Sequence, residues 1–342
     1  MRVDVDSAAR AMRQSRASCA RASTTAQARG DRARRRRRRA TRAVGAPQAS
    51  ASSAPIASWL ERELDARVSH THPMGGSQWA QFARYDMTDG RRVFVKTSVS
   101  GDCSMFRGER AGLDALRATG AFAVPEVYGS GAVPEGDGCF IAMEFLDFGG
   151  RGDQGAFGEA LAMMHLATPS HAEARDDGAF GFEVNNTIGE TRQPNPWTTN
   201  WVEFWRDHRL MHQIKLARDP TLSALAEKVV DKRLDDMFSG CGTITPSLLH
   251  GDLWSGNIGT VGGKAAVFDP AVYYGHHEAE FGMSWCAGFN GQFREVYHAK
   301  IPKAPGFEER AEMYKLYHIL NHYNMFGGGY YGECVSILKG LS

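Results

Sequence analysis

The alternation of apolar and polar positions changes character near residue 150. Residues 56–68 place apolar side chains at helical spacing and predict a short leading helix. Two runs of strand type, residues 78–87 and 91–98, flank Thr88-Asp89-Gly90 and predict a hairpin. Residues 106–119 read as a helix that buries Leu113 and Leu116, and residues 124–128 and 139–145 read as further strands. After Gly149-Gly150, helical periodicity runs through residues 157–166, 200–216, 221–238 and 307–326. A β-rich stretch, residues 248–268, interrupts it. The pattern predicts an α+β chain with a small antiparallel-sheet lobe over residues 56–146 and a larger, mainly helical lobe over residues 147–342.

Composition is that of a globular chain, 42% hydrophobic and 23% charged, without an apolar run long enough to span a membrane. A soluble protein is expected. The net charge of +1 hides a division. Residues 1–50 carry 14 Arg and 3 Asp, about +11, whereas the remainder has 26 basic against 36 acidic residues, about −10. An acidic body argues against general nucleic-acid binding by the folded part. Residues 1–53 are rich in Arg, Ala and Ser and poor in large apolar side chains, so this segment is expected to be disordered. Its composition fits a plastid or mitochondrial transit segment. The arginine run 34–39 also permits a nuclear or RNA-binding tail, and an accidental translated extension is the remaining reading. A cytoplasmic location is the alternative address. Six scattered Cys without a CxxC pair predict free thiols rather than a zinc site or a disulfide framework.

The chemistry concentrates in Leu248-Leu249-His250-Gly251-Asp252-Leu253-Trp254-Ser255-Gly256-Asn257, continued by Val267-Phe268-Asp269-Pro270. Phosphoryl transfer from ATP needs a carboxylate to accept the acceptor's proton. It also needs an amide oxygen and a second carboxylate to hold Mg2+ on the phosphates. Four residues separate Asp252 from Asn257, the spacing of the H-x-D-x-x-x-x-N catalytic loop. A predicted hairpin turning at Gly262-Gly263 returns Asp269 to Asn257, so Asp252 is the candidate base and Asn257 and Asp269 the candidate metal ligands. His250 is expected to anchor the loop. A lone HGD tripeptide would be chance; joined to this spacing it is a signature.

The small lobe supplies weaker elements. Lys96 ends the apolar run Val93-Phe94-Val95, and Glu109 lies thirteen residues on in a predicted helix, a pair suited to holding ATP phosphates. Each alone reads as a surface charge. Gly75, Gly76 and Ser77 form a candidate phosphate loop, or merely a turn. Met143, Glu144, Phe145 and Leu146 form a candidate hinge for adenine, or merely a buried strand. Order and position along the chain favour a bilobal, protein-kinase-like reading.

From residue 56 to about 341 the sequence resembles the fructosamine-3-kinase (ketosamine-3-kinase) family. The matches are the 249–257 loop, Asp269-Pro270-Ala271, Tyr274-Gly275-His276, the Lys300-Ile301-Pro302-Lys303-Ala304-Pro305-Gly306 core, Leu320-Asn321-His322 and Trp205-Arg206-Asp207-His208-Arg209. The resemblance implies ATP- and Mg2+-dependent phosphorylation of the 3-hydroxyl of a ketoamine such as fructosamine, ribulosamine or erythrulosamine. The phosphate then falls away and frees the amine. Glycated proteins or small ketoamines would be the substrates, and the enzyme a monomer or homodimer. Trp254 is implied to stack on the sugar, with His276 and Glu278 lining the acceptor pocket; packing roles for Trp254 and His276 stand beside these. Ser77 occupies the place where many members carry a Cys associated with a redox-sensitive dimer. A kinase for another small hydroxyl substrate, of aminoglycoside- or choline-kinase type, and a nucleotide-binding pseudokinase are the alternatives. The retained Lys96, Asp252, Asn257 and Asp269 argue against the second.

Overall fold

The computed structural model describes residues 53–77, 79–150 and 152–342, so the predicted tail lies, up to residue 52, outside the described residues. The first helix, α1 (Ser53–Leu64), starts three residues before Ile56 and ends earlier than the apolar spacing predicts. Asp65 turns the chain with φ +48°, and Val68 opens strand β1 (Val68–Gly76). That strand escapes a hydrophobicity reading because most of its residues are exposed at the edge of a sheet.

The sheet continues with β2 (Gln81–Met87), β3 (Arg92–Ser98), β4 (Val127–Ala132) and β5 (Cys139–Glu144), in the antiparallel order β1-β2-β3-β5-β4. Period-two alternation on β5 joins two cores. Phe140 and Ala142 pack with Ile56 and Leu60 of α1. Cys139, Ile141 and Met143 instead join Phe106, Leu113 and Leu116 of α2 (Ser104–Ala118) and the main core of the helical lobe.

Two backbone hydrogen bonds fasten the lobes together. Ala123 N–H donates to the Ala265 carbonyl (2.8 Å), and Val267 N–H donates to that of Ala123 (3.1 Å). In the larger lobe, α3 (Gln154–Leu166) precedes a short pair, β6 (Asn186–Ile188) with β7 (Thr191–Gln193), which the sequence pattern did not disclose. The helix predicted over 200–216 is α4 (Trp201–Trp205), a π-helical turn (Arg206–Leu210) and α5 (Met211–Ala217). At that turn Arg209 is fully buried, its guanidinium 4.6 and 4.0 Å from the ring centres of Phe204 and Tyr273. The helix predicted over 221–238 divides at Arg233 into α6 (Pro220–Lys232) and α7 (Leu234–Ser239). Next come β8 (Ser247–Leu249), the hairpin β9 (Ile258–Val261) and β10 (Lys264–Val267), and β11 (Tyr273–Gly275), which pairs with β8. Helices α8 (Gly291–Lys300), α9 (Phe307–Phe326) and α10 (Tyr331–Leu341) complete the lobe. Among the described residues no helix is long and apolar enough to cross a membrane.

The expectation of free thiols is corrected at one pair. Cys103 and Cys139, separated by 36 positions, are disulfide-bonded. Neither sequence separation nor composition marks such a pair, because β5 and the start of α2 meet only in the folded lobe. Closing a loop of this length stabilises by about 3–4 kcal/mol through the unfolded chain. A reductant is therefore expected to lower Tm, and Cys139→Ser should be insensitive to it. An identical Tm for the protein with and without dithiothreitol would count against that contribution.

Candidate active site

The site grows from the turn that follows β8. Gly251 adopts φ +79°, and a Cβ there would lie 2.2 Å from the Ala271 carbonyl oxygen, so glycine is required for this close approach. His250, fully buried, meets the Phe268 carbonyl through Nε2 (3.0 Å) and the Asp252 backbone N–H through Nδ1 (3.3 Å). A carbonyl only accepts, so Nε2 carries the proton and Nδ1 offers its lone pair. That arrangement needs a neutral ring. Burial, opposed by Glu280, Phe268 and Asp269, holds the His250 pKa below its ordinary value and meets that need.

Asn257 closes the loop. Its Nδ2 donates to the Asp252 carbonyl (2.9 Å), to Asp252 Oδ2 (3.3 Å) and to the Asp269 carbonyl (3.2 Å). All three bonds leave from Nδ2, so Oδ1 remains the oxygen donor of the amide. The β9–β10 hairpin, turning through Gly262 (φ +57°) and Gly263 (φ +83°), brings Asp269 back to Asn257. Asp269 itself adopts φ +57°, a conformation Asp tolerates better than most side chains.

From the sheet, Lys96 Nζ bonds Glu109 Oε1 of α2 (2.7 Å) and Asp269 Oδ1 (2.5 Å). Burial opposes the ammonium charge, but Asp269 and Glu109 together raise the Lys96 pKa above its ordinary value. Burial raises the Glu109 carboxyl against the pull of Lys96. The Lys96 side chain is 7% exposed and that of Asp269 50%, so Asp269 is the member of this chain that reaches the cleft solvent.

Ser77, Lys96, Glu109, Asp252, Trp254 and Asp269 line one cleft of about 500 Å³ between the lobes. Its far wall adds Asn186, Met283, His318, Asn321, His322, Met325 and Tyr330, residues given no role on sequence grounds although Asn321 and His322 fall in a quoted motif. Burial above all pushes His318 down to about 3. His322 is likewise held below its ordinary value by burial, and its Nδ1 lies 2.7 Å from the His318 carbonyl. Both imidazoles are therefore neutral near pH 7, and Nε2 of His322 is left as an acceptor.

Residues 52–341 match the family model described as fructosamine kinase. The chain belongs to that family. A protein-ribulosamine 3-kinase, chloroplastic, from Oryza sativa subsp. japonica is 44% identical over 297 residues, covering 85% of this chain and 84% of that protein. A mouse ketosamine-3-kinase is 36% identical over 307 residues, covering 83% and 98%. Among solved structures, a candidate fructosamine-3-kinase from Thermobifida fusca is similar with TM-score 0.73 and 28% identity, covering 85% of this chain and 99% of the other. The chain is a phosphotransferase of protein-kinase-like fold.

Not every residue singled out from this fructosamine kinase's sequence reaches the cleft. Gly75 and Gly76 end β1 just before Ser77 and stand outside the cleft lining. In the expected hinge, Met143 is buried, Glu144 N–H donates to Glu126 (2.8 Å), Phe145 N–H donates to Arg92 (2.9 Å), and the Leu146 carbonyl accepts from Phe148 N–H (3.1 Å). Two of the expected adenine donors are thus engaged in the fold. His276 and Glu278 do not line the cleft. His276 is buried with Nδ1 2.8 Å from Tyr314 Oη, and both Glu278 oxygens take the buried Arg310 guanidinium (2.7 and 2.9 Å). Arg310 also donates to the carbonyls of Met237 and Pro305, so this pair locks the proline-rich 300–306 segment onto the lobe. Ligand atoms of His276, His277 and Glu278 lie within 4.8 Å of one another, yet the guanidinium on Glu278 disfavours a cation there.

Trp254 lies over Gly256. A Cβ at Gly256 would fall 2.3–2.7 Å from three atoms of the indole. Gly256→Ala must therefore displace the ring. The expected result is an acceptor KM raised about tenfold, the value of one good aromatic contact, with KM for ATP unchanged. Steady-state kinetics varying each substrate in turn decides this, and equal effects on both would remove the indole from the acceptor side.

Proposed function

We propose that this chain is an ATP-dependent ketoamine 3-kinase, acting on fructosamine, ribulosamine or erythrulosamine groups carried by lysine side chains or small amines. The observation that carries the proposal is the pair Asp252 and Asp269, linked through the buried Asn257, lining the same cleft as the Lys96–Glu109 pair. Asp252 accepts the proton of the 3-hydroxyl as its oxygen bonds to the γ-phosphorus of ATP and the bond to ADP breaks. Lys96, held by Glu109, bears on the phosphates. Asn257 Oδ1 and the Asp269 carboxylate are oxygen donors of the kind Mg2+ prefers and would hold it, and the ion would supply charge that offsets that of the phosphates. Ser77 and the turn it caps, where its Oγ accepts from Ala80 N–H (3.1 Å), cover the phosphate end. Residues 143–146 sit at the lobe junction and take the adenine through backbone groups other than the Glu144 and Phe145 N–H. The neutral His318 and His322 leave the acceptor wall uncharged, which suits a substrate whose own amine is cationic.

Names of relatives support the substrate class: ribulosamine for the rice protein and ketosamine for the mouse protein. The rice protein is named chloroplastic, which, with the Arg-rich composition of residues 1–52, supports a plastid address. The test is transfer of labelled phosphate from MgATP to ribulosamine- or fructosamine-lysine, with choline and an aminoglycoside as competing acceptors. Transfer to the ketoamine alone supports the proposal; transfer only to the others would replace it.

A further inference from the structure

Glu280 belongs to none of the expected site residues, yet its carboxylate accepts two backbone hydrogen bonds from the catalytic turn. It lies in the 3-10 segment His277–Met283 and is 2% exposed. Its Oε2 accepts the N–H of His250 (2.7 Å) and its Oε1 the N–H of Gly251 (3.0 Å). Two successive amides thus converge on one anion, immediately before Asp252. Burial opposes the charge, but the hydrogen bonds from His165 and from the His250 backbone hold the Glu280 carboxyl below its ordinary value.

The carboxylate is itself held. His165 of α3 approaches Oε2 through Nε2 (3.4 Å), and its Nδ1 lies 2.7 Å from the hydroxyl of Tyr297 of α8. The carboxylate can only accept, so Nε2 of His165 carries the proton and Nδ1 accepts from Tyr297. Both side chains are buried. Three elements distant in sequence therefore meet on the two peptide groups that precede Asp252.

We infer that Glu280 is a positioning residue for the phosphotransfer, fixing the His250-Gly251 peptide groups and through them the place of Asp252, with His165 and Tyr297 fixing Glu280. The inference rests on Asp252 as the base. A glutamine at 280 would keep the shape but turn an NH2 group against one of the two backbone donors. A misplacement of about 1 Å at a reacting group costs roughly a hundredfold in rate.

The test compares Glu280→Gln, Glu280→Asp and Tyr297→Phe in the full chain by transfer kinetics and by hydrogen exchange of the peptide spanning 247–257. Glu280→Gln is expected to lower kcat about a hundredfold with KM for MgATP within about threefold. Glu280→Asp, which keeps the anion, should recover about tenfold of that loss, and Tyr297→Phe should cost about three- to tenfold. Exchange in 247–257 should quicken in Glu280→Gln while peptides of β3 and α2 stay protected. Wild-type kcat in Glu280→Gln, or a fall in kcat matched by lost MgATP affinity and exchange raised across the lobe, would overturn the inference. Should Glu280→Gln not fold, Tyr297→Phe decides, and wild-type protection of 247–257 in that variant overturns it. Exchange needs no acceptor, so failure of the wild-type chain to phosphorylate a ketoamine would tell against the proposed substrate and leave Glu280 to the exchange result.

Discussion

Asp252→Asn is expected to lower kcat about a thousandfold while MgATP affinity stays within about threefold. The substitution keeps the size of the side chain and removes only its ability to take a proton. The surroundings should tolerate it. The Asp252 backbone remains tied to His250 Nδ1 and, through its carbonyl, to Asn257 Nδ2. The local adjustment falls at the 3.3 Å contact between Asn257 Nδ2 and Asp252 Oδ2, where the new amide must present its oxygen. Nucleotide contacts assigned to Lys96 and Asp269 are untouched, which is why kcat and affinity should separate. The comparison requires rapid-quench turnover and a direct binding titration on the same preparations. Turnover within tenfold of the wild type would remove Asp252 from the role of base.

The parts of this site that the sequence discloses are those held within one short stretch. His250, Asp252, Asn257 and Asp269 lie in twenty residues, and a hairpin of predictable turn chemistry brings the last back to the others. Lys96 and Glu109 are legible for a similar reason, one following the apolar run Val93-Phe94-Val95 of a strand and the other on the next helix. The failures have a common physical cause. Burial and pairing are properties of the folded lobe, and a polar residue beside a motif looks the same whether it faces a substrate or an arginine. Glu278 meets its partner Arg310 thirty-two positions on, and that contact turns a presumed pocket acid into a packing element. Glu280, two residues away, recognises backbone N–H groups, and a backbone donor leaves no trace in sequence. Strand β1 was missed because an edge strand exposed along most of its length has no apolar period to read. The His318 and His322 wall comes from the fourth and fifth turns of α9, where spacing marks a helix face without showing what it confronts.

Asp269→Asn should abolish most of the magnesium dependence of nucleotide binding. In the wild type, removing Mg2+ with EDTA is expected to weaken ATP binding about thirty- to hundredfold, as a carboxylate about 4 Å from a cation contributes some kcal/mol at a protein surface. The variant should narrow that ratio to about threefold. Asparagine is the right replacement because residue 269 sits at φ +57°, which Asn tolerates and Ala does not, so backbone strain is not confused with lost charge. The lysine decides the second half of the result. Lys96 already holds Asp269 Oδ1 at 2.5 Å, so a metal on the cleft side must share that carboxylate with the ammonium or draw it away. With the charge at 269 removed, Lys96 keeps Glu109 at 2.7 Å and loses its other acid, which frees more of its charge for the phosphates. Affinity without Mg2+ should therefore rise slightly in the variant even as affinity with Mg2+ falls. Parallel losses in both conditions would mean that Asp269 acts on the nucleotide through the fold, and unchanged affinity in both would remove it from the metal site. Only the crossed pattern, weaker with Mg2+ and no weaker without it, fits a carboxylate shared between a lysine and a metal.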